Sequence, residues 1–83
     1  MNDAGGMKIS LLAFGPLAEI LGWKRHQLTV QSPSKIEDVL KVLSIREWSE
    51  RGLVVAINGL QSDLSTELTD GDELAFLPPV SGG

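Results

Sequence analysis

The C-terminal end of the chain carries the residue pattern best suited to a chemical role. Pro78 and Pro79 close an apolar run, and the four residues that follow are small and end in Gly82 and Gly83. Proline stiffens the start of this segment because its ring fixes the backbone φ angle. The two glycines have no Cβ, so they can pass through a narrow channel in another protein and leave the terminal carbonyl open to attack. The pattern predicts an arm that presents its carboxylate to an enzyme, and a frayed terminus is the plain alternative.

Other residue types that support catalysis or metal binding are sparse. His26 is the only histidine and the chain has no cysteine, so a thiol nucleophile and the usual zinc sites are excluded. A Ser–His–Asp triad would depend on His26 alone as its base, with no sequence signal around it. The acidic residues between Asp63 and Glu73 do not have the spacing of a calcium loop. Gly59 and Gly71 are isolated turn glycines and belong to no phosphate-binding loop. We therefore predict no metal site and assign these residues to turns and solvated surface.

Length and composition predict one small globular domain. The chain has 83 residues, of which 42% are hydrophobic and 22% are charged, and this is ordinary globular usage. No apolar run approaches the roughly 20 residues of a membrane span, and the N-terminus lacks the pattern of a signal peptide. The absence of cysteine fits a reducing compartment. We predict a cytoplasmic location and no membrane association.

Charge is distributed unevenly along the chain. Residues 1–51 hold all seven Lys and Arg together with six acidic residues, whereas residues 52–83 hold five acidic residues and no basic one. An acidic surface repels a phosphate backbone, and no basic stripe interrupts it, so we predict no nucleic-acid binding. A protein partner with basic residues suits this part of the chain.

Hydropathy patterns in the N-terminal half predict two strands, each followed by a helix. Apolar residues alternate from Met7 to Phe14 on one face and recur on the other, which is typical of a central strand. Ser34 and Glu37 have the spacing of a capping box at the start of the longer helix. The predicted elements are a strand over residues 7–14, a short helix over 16–21, an edge strand over 24–30 and the main helix over 34–45.

The C-terminal half supplies the remaining strands. Leu53 to Ile57 is an unbroken apolar run, typical of a strand buried on both faces. Asn58-Gly59 and Asp70-Gly71-Asp72 predict turns, and a last strand from Leu74 must end at the two prolines. Together the elements predict an α+β fold, a mixed sheet packed on one main helix plus a short helix. The predicted boundaries are a flexible leader over residues 1–6, the domain over 7–79 and a flexible tail over 80–83.

The segment from Leu68 to Gly83, with the sequence LTDGDELAFLPPVSGG, resembles the C-terminal signature of the MoaD family, the small subunits of molybdopterin synthase. A weaker similarity continues through Val55 to Asn58, the predicted main helix and Leu11 to Gly22, so the resemblance covers residues 7–83. It implies a ubiquitin-like β-grasp fold, which agrees with the element order predicted above.

The resemblance also implies a chemical role for the arm. In this family the terminal glycine, Gly83 here, is adenylated by an ATP-dependent E1-like adenylyltransferase and converted to a thiocarboxylate, a 1-thioglycine. The sulfur comes from a donor protein. The arm then enters the large synthase subunit, in a heterotetramer, and sulfurates a pterin precursor in molybdenum cofactor biosynthesis. The resemblance implies that the chain binds no cofactor itself and acts as a non-catalytic sulfur-donor subunit, with the catalytic residues on the large subunit.

Site residues are assigned by the same resemblance. Gly83 is the acyl-adenylate and thiocarboxylate site, and Gly82 and Ser81 give access to it. The family's partner surface is apolar and lies beside the tail, although each residue at these positions could equally belong to the core. Ala18 stands where many members carry an arginine that pairs with a partner. The partner-binding positions are Phe14, Leu60, Phe76, Leu77, Pro78, Pro79 and Val80.

Three other functions share parts of this pattern. A ubiquitin-like sulfur carrier of thiazole synthesis has the same fold and the same Gly-Gly end but lacks Pro-Pro-Val. A ubiquitin-like protein modifier would join Gly83 to lysines of other proteins through isopeptide bonds. A plain binding domain with an inert tail would work without Gly82 and Gly83.

Overall fold

The computed structural model describes residues 6–79, so residues 1–5 of the predicted leader and the whole predicted tail lie outside the described range. Five strands, two α-helices and one 3-10 helix lie within it. In chain order these elements are β1 Gly6–Ala13, α1 Gly15–Leu21, β2 Arg25–Gln31, α2 Ile36–Val42, the 3-10 helix Arg46–Arg51, β3 Val54–Ile57, β4 Leu60–Ser62 and β5 Glu73–Leu77.

The strands form one mixed sheet in the order β2-β1-β5-β3-β4. β1 has an antiparallel neighbour, β2, and a parallel neighbour, β5, while β3 pairs antiparallel with both β5 and β4. The predictions of a central first strand and an edge second strand are confirmed. Because β1 and β5 are parallel, Pro78 follows β5 at the same end of the sheet at which the chain turns from β1 into α1.

The core lies between one face of the sheet and α2. Side chains of β1 are buried at every second position from Met7 to Ala13. In the register of β1 and β5, Leu11 lies opposite Leu74 and Ala13 opposite Phe76. The apolar side chains that α2 buries belong to the same cluster and are Ile36, Val39 and Leu40. The predicted architecture, a mixed sheet packed on one main helix plus a short helix, is confirmed.

The predicted capping box at the start of the main helix is wrong. Lys35 is the residue that precedes α2, and its backbone N–H donates a hydrogen bond of 2.8 Å to the carboxylate of Asp38. Neither Ser34 nor Glu37 forms the predicted pair, because the backbone N–H of Glu37 donates to the carbonyl of Leu64 at 3.0 Å. A loop distant in sequence thus binds an amide that a serine cap would bind in an isolated helix.

Two shorter segments form elements that the sequence pattern did not predict. Gly6, assigned to the leader, is the first residue of β1 and pairs with Gln31 of β2. Glycine has no side chain to contribute to an apolar alternation, so its place in the strand left no mark on the pattern. The segment from Arg46 to Arg51 forms a 3-10 helix in which Trp48 packs on the core, with the Arg51 guanidinium 5.4 Å from the centre of its ring. This distance is in the range of a cation–π contact.

Asn58 joins the turn between β3 and β4 to the start of β5. Its φ of 51° is left-handed, and its side chain accepts a hydrogen bond from the N–H of Glu73 and donates one to Asp72, both at 3.0 Å. Asn58→Ala removes both bonds and keeps a Cβ in this strained conformation, so we expect the free energy of unfolding in urea to fall by about 2 kcal/mol. Asn58→Gly loses the same bonds but relieves the backbone and should lose less. Equal losses in the two variants would contradict the assigned backbone strain.

Candidate functional site

The base of the arm, formed by Pro78 and Pro79, lies between two glycines with left-handed backbones. Gly15 has a φ of 55° at the start of α1, and Gly52 has a φ of 100° just before β3. A Cβ added to Gly15 would lie 3.5 Å from Cγ of Pro78, and one added to Gly52 would lie 3.5 Å from Cβ of Pro79. Each proline ring therefore packs beside a residue that has no side chain. The remaining arm residues predicted as site residues lie outside the described range, and they are Val80, Ser81, Gly82 and Gly83.

Phe14 and Leu77 form an exposed apolar patch beside the arm base. Their side chains are 45% and 38% exposed. Ala13 and Phe76, the residues just before them, are paired in the register of β1 and β5 and face the core. Because side chains alternate along extended backbone, Phe14 and Leu77 are directed to the sheet face that α2 does not cover. The structure thus brings together two of the predicted partner-binding residues.

Phe76 is a correction to the predicted partner surface. Its side chain is fully buried, with an exposed fraction of 0%, because the alternation along β5 directs Leu74 and Phe76 to the core and Ala75 and Leu77 to the other face. A partner cannot contact Phe76 while the domain is folded.

Leu60 is strongly exposed but lies apart from the apolar patch. The exposed fraction of its side chain is 73%. Leu60 lies in the edge strand β4 and pairs with Ile57 at one end of β3, whereas Leu77 pairs with Val54 at the opposite end of β3. The register therefore separates Leu60 from the arm base. Of the prolines, Pro78 is half-buried and Pro79 is exposed.

A groove borders the apolar patch on the side of β2, and nothing in the sequence pattern predicted it. Its volume is about 620 Å³. Lys24 and Arg25 are exposed on its rim, where Arg25 pairs with Leu12 of β1. The one sequence feature that could have pointed to it is the basic pair Lys24-Arg25, which is separated from the end of α1 by Gly22 and Trp23. The groove is lined by Leu12, Ala13, Phe14, Gly15, Ala18, Glu19, Lys24 and Arg25.

The acidic turn before β5 has a structural role. The carboxylate of Asp70 accepts a hydrogen bond of 2.8 Å from the backbone N–H of Lys8, and that of Asp72 accepts one of the same length from Thr69. The N–H of Gly71 donates to the carbonyl of Lys8, also at 2.8 Å. These bonds tie the turn to β1, so the acidic residues predicted to be solvated surface also hold the start of β5 in register.

His26 is exposed on β2 and stacks on Trp23, with 5.0 Å between the ring centres. In the described part of the chain, no group of three or more His, Asp or Glu side chains could hold a metal ion. Over residues 6–79, no helix is both long and apolar enough to cross a membrane. The chemical interest of the described residues therefore centres on the arm base, the apolar patch and the groove.

Known structures share this architecture. The small archaeal modifier protein SAMP1 from Haloferax volcanii is 27% identical with a TM-score of 0.76, over 92% of this chain and 99% of that one. A complex of subunits 1 and 2 of the molybdopterin-converting factor from Helicobacter pylori contains a chain that is 27% identical with a TM-score of 0.64, over 93% of this chain and 100% of that one. The mixed sheet wrapped on one main helix, with these likenesses, defines a ubiquitin-like β-grasp domain.

Sequence relatives then give the family. The model of the ThiS family matches residues 11–83. The molybdopterin synthase sulfur carrier subunit of Mycobacterium tuberculosis is 32% identical over 83 residues, covering 93% of this chain and 99% of that protein. The Escherichia coli protein of the same name is 32% identical over 81 residues, covering 90% of this chain and 99% of that protein. The chain belongs to the ThiS family.

Proposed function

We propose that this protein is the sulfur-carrying small subunit of a molybdopterin synthase, with the sulfur held at Gly83. One observation carries the proposal: the family match runs through residue 83 and so includes both terminal glycines. The relatives named as sulfur carrier subunits are matched over nearly their whole length, so the similarity extends beyond a shared fold. In this proposal the protein acts in the cytoplasm.

The proposed chemistry activates a carboxylate that is otherwise a poor acyl donor. A carboxylate oxygen of Gly83 attacks the α-phosphorus of ATP on an E1-like adenylyltransferase, which forms an acyl-adenylate and releases pyrophosphate. The terminal sulfur of a donor persulfide attacks the acyl carbon, and AMP leaves. A thiol then reduces the acyl disulfide, which leaves the thiocarboxylate on Gly83 and a disulfide on the thiol and donor. Because the chain has no cysteine, the persulfide donor and the reducing thiol must both belong to molecules other than this chain.

Sulfur delivery requires that the arm enter the large synthase subunit. The thiocarboxylate sulfur displaces an oxygen substituent from an electrophilic carbon of the pterin precursor, and the departing oxygen takes up a proton. Water then attacks the acyl carbon of the resulting thioester, which breaks the acyl C–S bond, returns the Gly83 carboxylate and leaves the sulfur on the pterin. The general acids and bases for these steps belong to the partner in this proposal. The carrier's part is to bind through its surface and to present an unhindered carbonyl.

The apolar patch is the proposed contact for the large subunit. Its two side chains adjoin the arm base, and the Helicobacter pylori relative is described in complex with a second subunit. Truncating a side chain at the centre of such an interface commonly lowers affinity by about tenfold or more. Phe14→Ser is therefore expected to weaken binding to the large subunit by at least this factor, measured by calorimetry, with an unchanged melting temperature.

Val42→Ser is the matched control for the patch. Val42 is 64% exposed on α2, which covers the other face of the sheet. The substitution removes a similar amount of exposed apolar surface and should leave the affinity unchanged. If Val42→Ser weakens binding as much as Phe14→Ser, the proposed contact surface is wrong.

A protein modifier is the second candidate function. The likeness to SAMP1 of Haloferax volcanii, a small archaeal modifier protein, favours it specifically. A modifier forms isopeptide bonds through its terminal glycine, and such conjugates resist reducing agents. Higher-mass species that persist in reductant and disappear on deletion of Gly83 would support this candidate.

Reconstitution separates the proposed function from its rivals. The thiocarboxylated chain is mixed with a molybdopterin synthase large subunit and the pterin precursor, or with a thiazole synthase and its substrate. We expect a stable complex and a sulfurated pterin in the first mixture only. Transfer in the thiazole mixture alone would assign the chain to thiazole synthesis and overturn the proposal.

A further inference from the structure

Two of the glycines with left-handed backbones differ from the rest in what lies beside them. Five glycines of the described range have a φ between 55° and 100°. A Cβ added at Gly22, Gly59 or Gly71 would meet nothing within 4 Å. At Gly15 and Gly52 the nearest atoms belong to Pro78 and Pro79, two consecutive residues at the base of the arm. Among these five glycines, an added Cβ would therefore have a neighbouring atom within 4 Å only at the two that lie beside the base of the arm.

A side chain added at Gly15 or Gly52 would affect the position of the main chain, because the neighbouring residues are prolines. The Cβ and Cγ atoms of proline belong to a ring that closes on the backbone nitrogen, so they cannot rotate away from a crowding atom as a flexible side chain does. An atom added beyond Cβ on Gly15 or Gly52 that extends toward the ring must displace the backbone at Pro78 or Pro79. Residue 80 is bonded to Pro79, so such a displacement moves the point from which the rest of the arm starts.

We propose that Gly15 and Gly52 are positioning residues that hold the two proline rings between them and so set where residues 80–83 begin. Gly15 lies at the start of α1 and Gly52 just before β3, so the arm base is held from two separate elements. This inference rests on the proposed function for its consequence: a carboxylate that must reach an ATP phosphorus in another protein depends on the position of the arm base. Misplacement by 1 Å can slow a reaction by about 100-fold.

Asparagine is the appropriate probe because it tolerates left-handed backbone and adds an amide group beyond Cβ. Gly15→Asn and Gly52→Asn are compared with Gly71→Asn. Gly71 has a φ of 89° and precedes β5, so it lies at the opposite end of this strand from the arm. An asparagine at position 71 is more strained than one at position 15, where φ is 55°. Any loss in Gly15→Asn that arises from strain alone should therefore appear in the control as well.

The readout is pyrophosphate exchange with the activating enzyme and ATP. We expect kcat to fall about tenfold or more in Gly15→Asn and Gly52→Asn, with KM for the carrier unchanged, because no exposed side chain is removed while the carboxylate is displaced. Gly71→Asn should keep the kcat of the wild-type chain. Adding Pro78→Ala removes the ring that an added Cβ at position 15 would contact, so Gly15→Asn should cost much less kcat in that background. Equal kcat in all three asparagine variants, or no relief by Pro78→Ala, would overturn the proposal.

A second measurement keeps this inference separate from the proposed function. Nuclear Overhauser effects in the free wild-type chain should join Gly15 to Pro78 and Gly52 to Pro79, and the first should shift or vanish in Gly15→Asn alone. If the wild-type chain is never adenylated, the proposed function fails while these contacts still stand. If adenylation proceeds but the contacts are absent, the positioning role fails and the sulfur-carrier role remains.

Discussion

Deletion of Gly82 and Gly83 is expected to abolish adenylation and sulfur transfer while leaving the melting temperature unchanged. The deletion leaves the terminal carboxylate on Ser81, two residues short of the position that Gly83 reaches in the proposed function and next to a Cβ, so we expect no adenylation. Among the described residues the buried apolar cluster lies within residues 7–76, so we expect the deletion to leave the core intact. Pyrophosphate exchange and thermal unfolding measured on the same sample test both halves of the statement.

The control for this deletion is Thr29→Ala. Thr29 is exposed on β2 and pairs with Lys8, at the end of β1 remote from the arm. It should keep full exchange activity. Exchange activity that survives removal of both glycines would contradict adenylation at Gly83. A large fall in melting temperature would show that the arm packs on the domain.

Phe76→Ala is expected to lower the free energy of unfolding by about 3–5 kcal/mol. Phe76 is fully buried in the middle of the sheet, opposite Ala13 on β1 and Val55 on β3. Removing its ring loses apolar contact and leaves a cavity that the flanking strands cannot close. Because small domains are stable by only about 5–15 kcal/mol, urea unfolding should show a partly unfolded population or a large shift of the midpoint.

Leu60→Ala is the matched test of exposure. Leu60 and Phe76 were both predicted to bind a partner. Leu60 is 73% exposed, so its truncation should change the free energy of unfolding by no more than about 0.5 kcal/mol. Loss of partner binding in Phe76→Ala would follow from unfolding rather than from a missing contact. A loss below about 1 kcal/mol in Phe76→Ala would contradict its place in the core.

Much of the fold was predictable because its signals are local. The alternation from Met7, the apolar run before Asn58-Gly59 and the two prolines each specify an element through the geometry of a few neighbouring residues. Both α-helices and four of the five described strands correspond to predicted segments, and the three-residue β4 follows the turn predicted at Asn58-Gly59. The prediction that β1 is central also followed from its own composition, since a strand apolar on both faces must be flanked.

The wrong predictions concern local features that depend on residues distant in the sequence. Phe76 and Leu77 are adjacent and both apolar, so the sequence alone does not determine which of them faces α2; the pairing with β1 and β3 does. The start of α2 depends on Leu64, a residue far along the chain. The contacts of Gly15 with Pro78 and of Gly52 with Pro79 join residues that are distant in the sequence, and no local pattern encodes them.

The central claim, sulfur on Gly83, is tested most directly by intact-mass and fragment mass spectrometry of the chain co-expressed with its activating enzyme and a sulfur source. The account predicts replacement of one oxygen by sulfur, localised to Gly83, with a further mass increase on alkylation of the thiocarboxylate and loss of the sulfur on its hydrolysis. Localisation is essential because oxidation of Met1 or Met7 changes the mass almost equally. An unmodified Gly83 in the presence of an activating enzyme that does adenylate it would contradict the claim and favour the protein modifier.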